Sequence, residues 1–330
     1  MRILALQLKR IGDLVLTTPA LRALRATWPE AHVTLGVMDG TAPLLPAIAS
    51  VHSGIVFGPR RGWTPWQQVL TGGWDMCFDF TGNDRSAFAT ALSHAKSRVA
   101  FEWVRKKPLR ARVYNVWSPS KVREVHTAQH YLDLVATAAS NGSLADPDLL
   151  PELSLPADIP QPTTIKEPYV LLHPGTARAD KYWLPERWGT VAVHLREKHG
   201  LATVFTCGPD EYERAHVAAI PNTTSDRSEI QYPKDLLSLT ALVAGARLVV
   251  SCDTGVVHLA SALRIPQIIL YGPINPFHWR PMHDRAVVLS AAQPDAPLTD
   301  FQPRMKEGPM ELISTDAVIR ATDSLLALPR

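Results

Sequence analysis

The sequence predicts an α/β protein of two units, each built on a parallel sheet, and three observations carry that expectation. Short apolar runs alternate with amphipathic helical stretches along almost all of the 330 residues, which is the βαβ rhythm of a parallel sheet. The rhythm runs twice, interrupted between residues 141 and 168 by a stretch holding Pro147, Pro151, Pro156, Pro160, Pro162 and Pro168. In the second half, two apolar strands end in polar, glycine-bearing turns, the usual place for a ligand in such sheets.

In the first half, strands are expected near 2–8, 32–38, 53–57, 75–80 and 97–101, with helices near 14–27, 64–71, 84–95 and 126–139. The first helix has an apolar stripe of Leu14, Leu21, Leu24 and Trp28, and Pro19 implies that it starts late or kinks there. The proline-rich stretch can hold neither a helix nor a central strand and reads as an extended linker. The expected division is a first domain over 1–150, a linker over 151–168 and a second domain over 169–330. In the second half, strands are expected near 169–173, 202–207, 247–251 and 266–271. Helices are expected near 185–198, 210–219, 235–245, 255–263 and 315–327, the last capped by Ser314 or Thr315. Two similar halves joined by a linker imply a cleft between them.

Composition narrows the classes. The chain is 46% apolar and 20% charged, ordinary for globular domains. A formal net charge of +3 is too small to argue for nucleic acid, and it suits an anionic substrate or an anionic membrane surface equally. Cys77, Cys207 and Cys252 are widely spaced beside apolar runs, so buried reduced thiols in a reducing compartment are expected. The apolar start, Ile3 to Leu8, is too short for a signal peptide, and no stretch approaches the roughly 20 apolar residues of a membrane span. The expected location is cytoplasmic, where the acceptor patterns Asn141-Gly142-Ser143 and Asn222-Thr223-Thr224 have no glycosylation meaning. The chain lacks the phosphate loop of nucleotide triphosphatases, the G-x-S-x-G elbow and a G-x-G-x-x-G after its first strand, which demotes those enzyme classes. No metal site is expected. Asp146-Pro147-Asp148 reads as a solvated turn, and His126 with His130 reads as a surface or packed pair without a third ligand.

Two junctions stand out. Leu248 to Val250 runs into Ser251-Cys252-Asp253-Thr254-Gly255-Val256-Val257-His258, a strand, a tight turn and a helix N-terminus. Free backbone N–H groups and the helix dipole attract anions there, although an ordinary strand-to-helix turn has the same pattern. Tyr169 to Leu172 runs into His173-Pro174-Gly175-Thr176-Ala177-Arg178-Ala179-Asp180-Lys181, again delivering small, hydroxylated and cationic residues at a strand end. Two such loops at one edge of one sheet make a diphosphate site. In the first half, Lys9-Arg10-Ile11-Gly12-Asp13 puts a carboxylate at the first strand-to-helix junction. Asp13 there serves either as a helix N-cap or as a base that takes a proton from an attacking hydroxyl.

Taken together, these residues resemble glycosyltransferase family 9, the bacterial heptosyltransferases of the lipopolysaccharide inner core. The resemblance rests on Arg10-Ile11-Gly12-Asp13 with Thr17-Thr18-Pro19-Ala20-Leu21, on His173-Pro174-Gly175-Thr176 with Lys181-Tyr182-Trp183 and Trp188, and on Asp253-Thr254-Gly255 with His258 and Tyr271-Gly272-Pro273. It implies a GT-B architecture, two Rossmann-like parallel-sheet domains facing a central cleft. The first domain would bind the acceptor and the second the nucleotide sugar, with the last helix packing on the first domain. The implied reaction is an inverting, metal-independent transfer of a heptose from ADP-L-glycero-D-manno-heptose to a lipopolysaccharide core acceptor, with no cofactor beyond that co-substrate.

The same resemblance gives residues roles. Asp13 would be the catalytic base, and Lys181, Thr176 and the helix end at Thr254-Gly255 would stabilise the departing diphosphate. Asp253 would orient its loop or bond a sugar hydroxyl, and His258 would bond the loop or a phosphate, or simply pack. Gly208-Pro209-Asp210-Glu211 resembles the segment whose acid binds the ribose, with Glu213 close enough to leave the register open. Ala177 stands where some members have a second hydroxyl residue, so a phosphate contact is lost there or taken over by Arg178. On the acceptor side, Arg10, Arg60-Arg61 and the run through Arg105, Lys106, Arg110 and Arg112 would meet a lipid-linked, anionic saccharide or the cytoplasmic face of the inner membrane. A solvated basic face is the plain alternative for those runs, which are interleaved with Trp63, Trp66 and Trp103. The expected protein is a monomer that binds no nucleic acid. A family member with another nucleotide sugar, a nucleotide-sugar epimerase and a noncatalytic sugar-nucleotide binder are the competing readings.

Overall fold

The computed structural model describes residues 1–160, 163–221 and 228–329, so Pro162 and the Asn222-Thr223-Thr224 pattern lie outside the described residues. The chain forms two compact units, Met1–Ser154 and Leu155–Arg330.

The first unit contains β1 (Arg2–Gln7), α1 (Ile11–Thr27), β2 (His32–Met38), β3 (Ser53–Phe57), α2 (Thr64–Thr71), β4 (Met76–Asp79), α3 (Asp84–Leu92), β5 (Ser97–Phe101), α4 (Pro108–Ala111), β6 (Val116–Ser118) and α5 (Thr127–Ala136). Its six strands are parallel in the order β3-β2-β1-β4-β5-β6. Ile3, Leu4, Ala5 and Leu6 of β1 are fully buried, as a central strand covered on both faces requires. Because β2 and β3 lie on one side of β1 and β4 to β6 on the other, the chain reverses direction across the sheet between β1 and β4.

α1 starts at Ile11 and runs through Pro19 to Thr27, earlier and longer than expected. Pro19 has no N–H for the carbonyl of Val15, and the Thr18 hydroxyl donates to that same oxygen at 2.7 Å. One turn earlier, the Thr17 hydroxyl donates to the Asp13 carbonyl at 2.7 Å. The segment after α5 is tied to α1 rather than hanging free. Arg22 reaches Asp146 at 2.6 Å, Asp148 at 3.3 Å and Glu152 at 3.3 Å, and the Glu152 N–H donates to the Thr18 hydroxyl at 3.0 Å. Asp146 and Asp148 therefore belong to an arginine-centred ion cluster, not to the solvated turn expected of them.

The second unit contains β7 (Tyr169–His173), α6 (Pro185–His199), β8 (Ala202–Thr206), α7 (Glu211–Ala218), β9 (Ser228–Gln231), α8 (Leu236–Gly245), β10 (Leu248–Cys252), α9 (Gly255–Ala262), β11 (Gln267–Tyr271), β12 (Ala286–Ser290) and α10 (Thr315–Leu326). The strand order β12-β11-β10-β7-β8-β9 repeats that of the first unit, with the reversal between β7 and β10. α6 stops where Gly200 takes a left-handed conformation, φ 63°, which a glycine reaches without strain. Trp183 and Trp188 pack edge to face, ring centres 5.2 Å apart, in a core shared with Leu172, Phe205 and Val250. α10 is capped by Ser314, which accepts from the Ala317 N–H, and packs against α6, β11 and β12 of its own unit. Among the described residues no helix is long and apolar enough to cross a membrane. Cys77, Cys207 and Cys252 are free and buried, and burial pushes their thiols up to about 12, 11 and 12.

Candidate active site

Asp13 sits in the first turn of α1, beyond the C-terminal end of β1 and beside the β1–β4 junction. The residue at the cap position is Arg10, in extended backbone and without a side-chain cap bond, so the N-cap reading of Asp13 does not hold. Its carboxylate is held from elsewhere: the hydroxyl of Tyr131 on α5 donates to Oδ1 at 2.7 Å, and Lys9 Nζ lies 3.9 Å from the same oxygen. The Asp13 side chain keeps 12% exposure, enough for one face to meet a ligand. Burial, with the Asp13 charge and the hydrogen bond adding to it, holds the Tyr131 phenol well above its ordinary value, so it is a permanent donor. Next to it His130 stacks on Phe101 with ring centres 3.7 Å apart, and burial lowers this imidazole to about 3, leaving it neutral. His126 caps α5 by accepting from the Ala128 N–H, and His130 contacts the Ser120 hydroxyl at 3.0 Å, so the pair is packed, as expected.

A second carboxylate closes the same sheet edge. Asp79, at the end of β4, is fully buried; it accepts from the backbone of Thr81 and Gly82 and from the Tyr114 hydroxyl. Burial raises its pKa despite those donors. With no exposure it organises the turn after β4 rather than meeting a ligand.

In the second unit the loops after β7 and β10 meet because those strands are neighbours. Lys181 Nζ lies 2.6 Å from Asp253 Oδ2 and 3.3 Å from the Asp253 carbonyl, with the two side chains 14% and 13% exposed. A pair this nearly enclosed is held in one geometry, and breaking it leaves an uncompensated charge. Beside it Thr254 caps α9, its hydroxyl accepting from the Val256 N–H at 3.3 Å, with Gly255 as the first helical residue. The positive end of the α9 dipole therefore lies next to the Lys181 ammonium. Thr176, after β7, and His258, on α9, are both buried, and His173 contacts the Thr206 hydroxyl at 2.8 Å while burial lowers its imidazole to about 4.

Other expected donor residues are placed differently. Arg178 is exposed and forms a two-pronged contact with Asp180, and Ala177 is exposed beside it. Glu211 is exposed in the first turn of α7, whereas Glu213 is 8% exposed and its Oε2 accepts from the Gly208 N–H at 2.6 Å. A Cβ at Gly175 or Gly208 would collide with the Glu213 carboxylate, so both glycines exist in part to admit it. Glu213 thus joins the loops after β7 and β8.

The basic residues of the first unit are spread along one sheet edge. Arg10 follows β1, Arg60 and Arg61 follow β3, and Arg105 and Lys106 follow β5, all at the C-terminal ends of parallel strands and all exposed. Arg61 pairs with Asp39 at 2.8 Å, and the Arg105 guanidinium lies 4.7 Å above the Trp117 ring. Trp63 is 53% exposed and sits in an aromatic group with Trp66 and Phe88.

Among the described residues one group has metal-suited types and spacing: His194, His199 and Asp323. Both imidazole Nε2 atoms lie on Asp323 Oδ1, at 2.8 and 2.6 Å, and Lys198 takes Oδ2 at 2.8 Å. The nearby ammonium opposes a cation, and the group reads as a clasp between α6 and α10. A cleft of about 250 Å³ lined by Arg247, Pro266, Arg285 and Leu326 lies at the N-terminal strand ends, opposite the two loops.

Two parallel-sheet units with the same strand order, the Asp13 junction in one and the Lys181–Asp253 junction in the other, form an architecture of the GT-B type. The model of glycosyltransferase family 9 (heptosyltransferase) matches residues 63–307, and the chain belongs to that family. It is a glycosyltransferase, and the resemblance to this family holds. Lipopolysaccharide heptosyltransferase 1 of Escherichia coli K12 is 27% identical over 294 residues, covering 84% of this chain and 89% of its own. In fold, E. coli ADP-heptose lps heptosyltransferase II matches 99% of this chain and 98% of its own with a TM-score of 0.79 at 19% identity. The E. coli heptosyltransferase WaaC with ADP-2-deoxy-2-fluoro heptose matches 98% of this chain and 99% of its own with a TM-score of 0.76 at 22% identity.

Proposed function

We propose that this enzyme transfers a heptose from ADP-L-glycero-D-manno-heptose to a lipid-linked lipopolysaccharide core acceptor, with inversion and without a metal. The observation that carries the mechanism is Asp13, a carboxylate released from helix capping and held by a buried phenol at a strand-end junction. The acceptor hydroxyl gives its proton to Asp13 as its oxygen attacks the anomeric carbon, and the bond from that carbon to the diphosphate oxygen breaks. The growing charge on the diphosphate is met by Lys181, the Thr176 hydroxyl and the N–H groups at Thr254-Gly255. Asp253 keeps Lys181 in place, which suits the loop-orienting role better than direct contact with an anion. The relatives named above supply the donor and acceptor classes by their names.

The acceptor side of the reading is supported by Arg10, Arg60, Arg61, Arg105 and Lys106, which share the sheet edge of Asp13 and leave cationic surface for an anionic saccharide. The enzyme would then work as a monomer at the cytoplasmic face of the inner membrane, with no cofactor beyond the nucleotide sugar. The test is a thermal-shift screen of nucleotide sugars followed by mass spectrometry of a lipopolysaccharide-core acceptor incubated with the best donor. The expected product is the acceptor plus one heptose. Turnover of the donor with no acceptor present would favour an epimerase instead, and a product carrying another sugar would reassign the donor.

A further inference from the structure

Tyr131 is 1% exposed, lies on α5, and spends its hydroxyl on Asp13 Oδ1 across 118 residues of sequence. Its ring is locked, meeting Phe80 edge to face at 5.6 Å and Phe101 at 6.4 Å, so the hydroxyl cannot swing away. The phenolic proton is directed at Asp13, whose carboxylate oxygen accepts it, and Gln7 of β1 lies near the same hydroxyl. Gln7 is itself fully buried and donates to the Thr17 hydroxyl at 2.8 Å, fastening the strand end to α1.

We infer that Tyr131 is a positioning residue that sets both the orientation and the basicity of Asp13, an inference that rests on the reading of Asp13 as the base. With Oδ1 committed to the phenol, Oδ2 is the oxygen that takes the proton of the acceptor hydroxyl. A donor to a carboxylate favours its charged form, which is how the Tyr131 hydroxyl would act on the base. The titratable and charged groups nearest this turn on the surrounding elements are Lys9 and Arg10 from the end of β1, Asp79 from the end of β4, and His126, His130 and Asp133 at the start of and along α5. Of these, Lys9 is 3.9 Å from the carboxylate, His130 is neutral, and Asp133 is engaged by Ser120 and Gln129.

The test is the pH dependence of kcat/KM for the full-length enzyme with donor and acceptor, in wild type and Tyr131→Phe. Losing a hydrogen bond to a charged group should move the acid limb up by roughly one to two pH units, with the donor KM unchanged. An acid limb that stays in place overturns the inference. If Tyr131→Phe fails to fold, 3-fluorotyrosine at position 131 replaces it; this more acidic phenol is a stronger donor, so the limb should move down, and an unmoved limb is again fatal. Asp13→Asn separates the two claims. Transfer retained in that variant sinks the base reading, whereas transfer lost there with an unmoved limb in Tyr131→Phe sinks the role of Tyr131 alone.

Discussion

In the first unit the strand order brings the ends of β1 and β4 together, in the second those of β7 and β10, and the two junctions are equivalent places in the same topology. What stands there differs. The first junction presents carboxylates, Asp13 and Asp79, each accepting from a tyrosine hydroxyl, with Lys9 3.9 Å from Asp13 and Arg10 at the cap of the same helix. The second presents Lys181 beside the N-terminus of α9, with Asp253 as its counter-charge. Topology determines where a ligand can approach, and side chains determine whether the place removes a proton or stabilises an anion.

The sharpest way to break this contrast is to remove the acid. Asp13→Asn should lower transfer by roughly a hundredfold or more, the usual contribution of a positioned base. The fold should survive, because the cap position belongs to Arg10 and Asn keeps the size of Asp. A near wild-type transfer rate in this variant would remove the base from the first unit. Lys181→Ala should cost about tenfold to a thousandfold in rate, the range for one positioned charge-stabilising donor. It should also lower Tm, since Asp253 is left nearly enclosed without its partner. Chelation should have no effect: transfer measured in excess EDTA is expected to match the untreated rate, and a loss reversed by magnesium would show that the second unit does not manage the diphosphate with lysine and helix alone.

The smallest effect is one of stability, away from both junctions. Burial works to raise the Asp323 carboxyl, but hydrogen bonds from His194, Lys198 and His199 outweigh it and hold the group below the usual carboxylate range. A depressed folded pKa contributes stability above the unfolded value, about 3.9, and loses it as pH falls through the folded one. Asp323→Asn should therefore lower Tm at neutral pH, and the gap from wild type should shrink as pH drops below about 4. A gap that is constant with pH would mean that the clasp between α6 and α10 acts by packing rather than by charge.

The contrast between the units was partly legible in the sequence. The β10 turn and α9 stood out because an apolar run, a polar turn and a helix start lie within a dozen residues, and local patterns of that kind survive without tertiary information. Three strands were not foreseen, β6, β9 and β12, and all lie at sheet edges, where partial burial weakens the apolar signal. The late start expected of α1 failed: the helix runs through Pro19, and the Thr18 hydroxyl meets the Val15 carbonyl that Pro19 cannot, a local compensation that proline alone does not reveal. Tyr131 was invisible for a different reason: its partner is 118 residues away, and nothing in the segment around it marks one tyrosine as the donor to a distant carboxylate. The linker was read from prolines, yet Asp146, Asp148 and Glu152 fasten its first part to Arg22 on α1.

The division of labour between the units is tested most directly by calorimetric titration of ADP into wild type, Asp13→Asn and Lys181→Ala, with transfer rates measured on the same preparations. Asp13→Asn should bind ADP with unchanged Kd while losing transfer, and Lys181→Ala should weaken ADP binding by roughly tenfold or more, as expected for a lost charge-assisted contact. Equal weakening in both variants, or weakening in Asp13→Asn alone, would put the nucleotide on the first unit and contradict the assignment.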